Sequence, residues 1–149
     1  MGLCTHCGMQ WNQKIVAVKM QKRKSSEAGR EIVFFQTIPS YNHLVTMLGH
    51  YVDEFNSYIV FEYMYGTLFE TFRRATGVLP MDLSRRYAHQ TLLGPRHIHS
   101  HDVAHRDISM SNILLHITSN SVKIADLGLA VKASTYARKG HRGIVVQSA

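Results

Sequence analysis

Within His105-Arg106-Asp107-Ile108-Ser109-Met110-Ser111-Asn112 a carboxylate and a carboxamide stand five residues apart, and Asp126-Leu127-Gly128 follows fourteen residues after Asn112. No other feature constrains the fold as tightly. A loop carrying Asp107 and Asn112 can orient a hydroxyl nucleophile and hold a metal, and a second carboxylate beside a glycine suits Mg2+ bound to phosphate oxygens. Between the two loops, Ile113-Leu114-Leu115-His116 and Val122-Lys123-Ile124 read as short strands around the turn Ser119-Asn120-Ser121.

The rest of the chain supplies elements in a definite order. Lys14 to Met20, with the β-branched run Ile15-Val16-Ala17-Val18, reads as a strand. Ser25 or Ser26 then caps a helix through Glu27, Arg30, Glu31, Phe34 and Phe35 that stops at Pro39. A strand pair is expected at Leu44 to Val52 and Tyr58 to Tyr63, joined by Asp53 to Ser57. Gly66-Thr67 precedes a short helix that ends near Gly77. From Met81 to His101 the apolar positions Leu83, Tyr87, Leu92 and Ile98 predict a long helix capped by Asp82. From Ala133 periodicity is lost and a loose basic tail is expected.

Charge and composition narrow the function classes. The chain has 149 residues and a net charge of +7, yet its basic clusters, Lys19 to Lys24 and Lys132 to Arg142, are not interleaved with base-stacking aromatics. A nucleic-acid partner is therefore not expected. No apolar run approaches the roughly 20 residues of a membrane span, and no leader-like start is present, so a cytoplasmic or nuclear location is expected. Cys4 and Cys7 flank His6 without the second ligand pair a structural zinc requires. His97 and His101 can share a helix face, but they read as the end of a helix entering the loop rather than as metal ligands.

These motifs together resemble the eukaryotic protein kinase domain, most closely the Ser/Thr kinases of the cyclin-dependent and MAP-kinase-like (CMGC) group, over residues 10–132. The resemblance implies an α+β, partial protein-kinase-like fold. Its small antiparallel-sheet lobe with one helix would span about residues 1–64, the first helices and catalytic loop of the large lobe about 65–132, and a divergent basic tail 133–149. It also implies roles. Lys19, closing Val16-Ala17-Val18-Lys19, would steady the ATP phosphates and pair with Glu31. Phe61 would stand as gatekeeper, the backbone of Glu62 and Met64 would hold adenine, and Ala17 and Leu114 would cover its faces. Asp107 would take the proton of a protein hydroxyl, while Asn112 and Asp126 would bind Mg2+.

Several residues depart from the family pattern. No Gly-x-Gly-x-x-Gly precedes Lys19, no Ala-Pro-Glu follows Ala130, and a family domain needs roughly 250 residues, so the chain is expected to be truncated at both ends. Ser109 stands where such kinases carry a lysine that contacts the transferred phosphate. Leu127 replaces a phenylalanine conservatively. Pro95 and Gly94 interrupt the long helix, at a cost of about 3 kcal/mol for the proline alone. Gly29 lacks the side chain with which cyclin-dependent relatives dock their partner, so cyclin dependence does not carry over, although some regulatory protein is compatible with the family. Thr135 and Tyr136 read as ordinary polar tail residues. The chain thus reads as a protein Ser/Thr kinase using ATP and Mg2+ on a protein substrate. The alternative is a catalytically impaired fragment or pseudokinase-like interaction module.

Overall fold

The computed structural model describes residues 9–11, 14–116 and 119–138. Cys4, His6 and Cys7 lie outside that range, as do Lys139 to Arg142 of the basic tail. In chain order the elements are β1 (Met9–Trp11), β2 (Lys14–Lys22), α1 (Ser26–Thr37), β3 (Met47–Val52), β4 (Asn56–Glu62), β5 (Gly66–Thr67) and α2 (Leu68–Arg74). They continue with α3 (Met81–Ser100), β6 (Val103–Ala104), β7 (Ile113–His116), β8 (Ser121–Ile124), β9 (Val131–Lys132) and α4 (Ala133–Arg138). The fold is α+β, with a four-stranded antiparallel sheet in the order β1-β2-β4-β3, a three-stranded sheet β5-β7-β8, and the pair β6-β9.

Local sequence sets the helix ends. The Ser25 side chain accepts from the Glu27 amide at the start of α1, and the last turn closes through Ile38 N–H to the Phe34 carbonyl just before Pro39. Helix α2 begins with a capping box, Thr67 and Glu70 each bonding the other's backbone. Asp82 does not cap α3 as expected. Pro80 occupies the cap without a side-chain bond, and Asp82 sits in the first turn, where its charge meets the positive end of the helix dipole.

Two further expectations change. The strand predicted from Leu44 starts only at Met47, because the preceding residues bond elsewhere: Val45 donates to the Ile124 carbonyl (2.9 Å) and Ile124 donates to that of His43 (2.9 Å). This stitch joins the larger sheet's approach to β8. The loose tail expected from Ala133 is instead helical through Arg138, so Thr135 and Tyr136 lie in α4. Asp102, at φ 59, accepts from the amides of Ala133 (2.8 Å) and Ser134 (2.8 Å) and from the Ser134 hydroxyl (2.6 Å). Those bonds satisfy the amide groups that open a helix.

One apolar core runs through both larger sheets and their helices. Phe34, Phe35 and Ile38 of α1, Ile59 and Phe61 of β4, Tyr87 and Ile98 of α3, and Ile113, Leu115, Val122 and Ile124 of β7 and β8 belong to it. Phe35 meets Phe61 edge to face at 5.1 Å. Leu92, read as part of the apolar stripe of α3, is 71% exposed instead. The stripe is narrower than the sequence suggested.

Helix α3 runs unbroken through Pro95, although the ring denies the Thr91 carbonyl its partner. Tertiary contacts hold it on both sides of the proline: Tyr87 donates to the Asn120 side chain, Gln90 accepts from the Val122 amide, and Ile98 is fully buried. Gly94 is a contact point rather than an added weakness. A Cβ there would lie 2.7 Å from the His43 carbonyl oxygen and collide with Ile124. Gly94→Ala gains about 1 kcal/mol in helix propensity but must separate α3 from β8. A net loss of about 1–2 kcal/mol is expected in urea unfolding, and a more stable variant would refute this packing argument.

Candidate active site

Lys19 and Glu31 come from β2 and α1, which are adjacent in sequence and folded face to face. The Lys19 ammonium donates to Glu31 Oε2 (2.8 Å) and Oε1 (3.1 Å) and to Asp126 Oδ1 (2.8 Å). Those three bonds use all three of its protons. Glu31 is completely buried and also accepts from the Gln21 amide at 2.8 Å. Its side chain therefore has donors from two residues of one strand.

The electrostatics follow from how one cation serves two carboxylates. Burial favours neutral Lys19, but Glu31 and Asp126 together outweigh it and raise the ammonium above its ordinary value. For Glu31 burial dominates, and a lysine shared with Asp126 does not offset it, so its carboxyl is raised. Asp126 is less enclosed; partial burial works against its charge, but Lys19 and the Gly128 amide hold it below the usual carboxylate range.

The second half of the site is built on the loop before β7. His105 is buried, accepts from the Asp107 amide through Nδ1 (3.2 Å) and donates from Nε2 to the Ala125 carbonyl (3.0 Å). Only the neutral Nε2–H tautomer makes both bonds. Burial, only partly opposed by the Ala125 bond and the nearby aspartates, depresses its pKa and keeps it in that form. Asn112 donates from Nδ2 to Asp107 Oδ2 (2.8 Å) and to the Asp107 carbonyl (2.9 Å), which turns its own Oδ1 away as an acceptor. The Ala125 amide donates to the Asn112 carbonyl at 2.9 Å. His105, Asn112 and Ala125 thereby tie Asp107 to the turn of Asp126. Arg106 and Asp126 sit at φ 68 and 67, a conformation rare for residues with a side chain and retained where the surroundings fix it.

Strand β4 and the segment after it form the third wall. Phe61 and Met64 are buried; Ala17 pairs with Phe61 across β2 and β4, and Leu114 on β7 is partly buried against the core. The Glu62 side chain accepts from the Thr46 amide and from Lys123 Nζ, each at 2.7 Å, ties that sequence reading missed. Ser109 is exposed, its carbonyl accepting from the Asn112 amide at 3.0 Å. Arg30, also unforeseen, donates to the Gly128 carbonyl at 3.1 Å and links α1 to the turn after Asp126. For Gln21 a signal existed: two residues beyond Lys19 on a strand, it shares the same face.

His97 and His101 do share a face of α3, but each ring has a backbone partner. His97 donates to the Pro39 carbonyl (2.9 Å) and stacks on Tyr41 at 4.3 Å, and His101 donates to the His97 carbonyl (2.8 Å). Among the described residues no group of three or more His, Cys, Asp or Glu side chains gathers as a metal centre, and no helix is long and apolar enough to cross a membrane.

Comparison with known proteins shows the family. The family model for the protein kinase domain matches residues 1–144. The chain is 32% identical over 123 residues to Cell division control protein 2 homolog 3 of Trypanosoma brucei brucei, covering 78% of this chain and 39% of that protein. It is 36% identical over 132 residues to Wall-associated receptor kinase-like 14 of Arabidopsis thaliana, covering 83% and 18%. Against Serine/threonine-protein kinase ICK of Mus musculus it is 31% identical over 121 residues, covering 78% and 19%. This chain belongs to the eukaryotic protein kinase family and is related to its Ser/Thr members. It spans 39% or less of the length of these relatives.

Two outcomes test the electrostatic account. Lys19→Met leaves Glu31 buried without a cation and is expected to cost about 3–5 kcal/mol in urea unfolding at neutral pH; a loss below about 1 kcal/mol would contradict it. The folded pKa of His105 lies below its ordinary 6.5, so the unfolded chain takes up the proton first as pH falls. The stability held through neutral His105 is therefore full above that value and declines below it. His105→Phe should lower stability at pH 8 yet flatten the decline between pH 6.5 and 5, measured by thermal unfolding across pH. An unchanged slope would assign the acid sensitivity to other groups.

Proposed function

We propose that this chain is the catalytic part of a protein Ser/Thr kinase that moves the γ-phosphoryl of ATP to a protein hydroxyl with the help of Mg2+. One observation carries the reading: a single ammonium, Lys19, bridges buried Glu31 and Asp126 at 2.8 Å each, while Asn112 fixes the carboxylate of Asp107. Residues up to about Met64 would serve as the small lobe and those from Tyr65 onward as the start of the large one. The Trypanosoma relative supports a placement near the cyclin-dependent group.

The donor set suits a magnesium ion. Mg2+ takes oxygen ligands and commonly binds through one or two protein groups plus water and phosphate, so a three-carboxylate cluster is not required. Asp126, with its side chain 40% exposed, offers an ionised carboxylate, and Asn112 offers Oδ1 because Nδ2 is committed to Asp107. When held by Asp126 and Asn112, the ion would neutralise phosphate charge during transfer.

The chain's own residues account for the remaining work. Lys19, held by Glu31, presents positive charge where α- and β-phosphates would lie. Asp107 accepts a hydrogen bond from the substrate hydroxyl and takes its proton as the oxygen attacks. Asn112 keeps that carboxylate aimed, and neutral His105 fixes its backbone. Ala17, Leu114 and Phe61 provide apolar surface for a flat base, and the backbone of Glu62 and Met64 supplies its polar contacts.

Ser109 favours a second reading. A neutral hydroxyl cannot give the charge that a lysine lends to the transferred phosphate, and loss of one such electrostatic contact costs about 10²–10³ in rate. A nucleotide-binding but catalytically weak interaction module would follow. Mg-ATP at about 100 times its Kd should stabilise the chain by about 2.7 kcal/mol, seen as a raised Tm. Asp107→Ala should keep that shift and lower phosphate transfer by about 10²–10⁴. No Tm response removes the nucleotide reading, and transfer unaffected by Asp107→Ala removes the assigned base. Binding without transfer selects the module.

A further inference from the structure

We infer that Gln21 is a positioning residue, the second donor that keeps Glu31, and with it α1, in place when Lys19 turns to the phosphates of a bound nucleotide. The inference rests on the nucleotide reading above and adds a residue to it. All three Lys19 protons are engaged, two on Glu31 and one on Asp126. A phosphate oxygen can claim one only by taking it from a carboxylate. Asp126 is partly exposed, but Glu31 is 0% exposed, so a proton withdrawn from Glu31 leaves a group that cannot be left unmet.

Gln21 answers that shortage by geometry. It lies two residues beyond Lys19 on β2, on the same face, and its Nε2 reaches Glu31 Oε2 at 2.8 Å. Because a carboxylate only accepts, the amide must present nitrogen to it, which sends Oε1 the other way. That Oε1 is buried and, among the described residues, has no hydrogen-bond partner, and the same holds for Ser57 Oγ, directly opposite Gln21 in the β2–β4 register. An unmet acceptor in the interior is destabilising, so a glutamine chosen for packing alone would be a poor choice beside an apolar residue. Being neutral, the amide does not compete with Asp126 or the phosphates for Lys19. Arg30, next to Glu31, is directed to the Gly128 carbonyl and reinforces the same position of α1.

Amide hydrogen exchange of α1 in the full chain, with and without saturating Mg-ATP, tests the assignment. In the wild type, exchange across Glu31 to Phe35 should stay constant or slow when Mg-ATP is added. In Gln21→Met it should lie within about twofold of wild type without nucleotide and speed up about tenfold with it, the expected size for one hydrogen bond to a charged group. A variant that loosens α1 by the same factor in both conditions has lost packing only and overturns the inference, as does one that matches wild type throughout. If Gln21→Met fails to fold, Gln21→Leu, neutral and without the donor, carries the same expectation. A wild-type chain whose Tm and exchange ignore Mg-ATP overturns the nucleotide reading, and the inference falls with it. A responsive wild type with an unaltered variant overturns the inference alone.

Discussion

The Lys19 ammonium, placed between the carboxylates of Glu31 and Asp126, is the interaction on which the rest of the arrangement depends. Among the described residues it alone joins β2, α1 and the turn after β8 through side chains, and each member comes from a different part of the chain. Burying a carboxylate costs several kcal/mol before any partner is counted. The fold accepts that cost because the ammonium and the Gln21 amide meet Glu31 inside. A pair enclosed in this way specifies where α1 sits more strictly than apolar contact could, since a hydrogen bond fails within an ångström or so of displacement.

The loop of Asp107 reaches the same centre by neutral means. His105 holds the Asp107 amide with one ring nitrogen and the Ala125 carbonyl with the other, and Asn112 completes the connection through its backbone and side chain. The charge of Asp107 is thus held by two uncharged side chains, His105 and Asn112. The division is economical. A charged framework would alter the pKa of every group it supports.

Much of this was legible in the residues. The β-branched run before Lys19, the Ser25 cap of α1 and the apolar pairs of β7 and β8 predicted their elements because each is determined locally. The site residues Lys19, Glu31, Asp107, Asn112 and Asp126 could be grouped because their spacing matches a family. What escaped depended on distant partners. Gly94 reads as a helix weakness until Ile124 and the His43 carbonyl are seen against it, and Leu44 reads as strand until Ile124 claims its neighbours. The helix at Ala133–Arg138 is a third case, since the acceptors that start it belong to Asp102, thirty-one residues before Ala133.

The stitch at Ile124 has a mechanical meaning. The four-stranded sheet meets the rest of the chain through the strap that leaves β4 at Glu62, through the backbone bonds that Ile124 exchanges with His43 and Val45, and through the side-chain bonds of Lys19 to Asp126 and Lys123 to Glu62. A hydrogen bond fails within an ångström or so of displacement, so the Ile124 exchange keeps the sheet from sliding along β8. Phe61, next to Glu62 on β4, therefore keeps a constant position relative to β8.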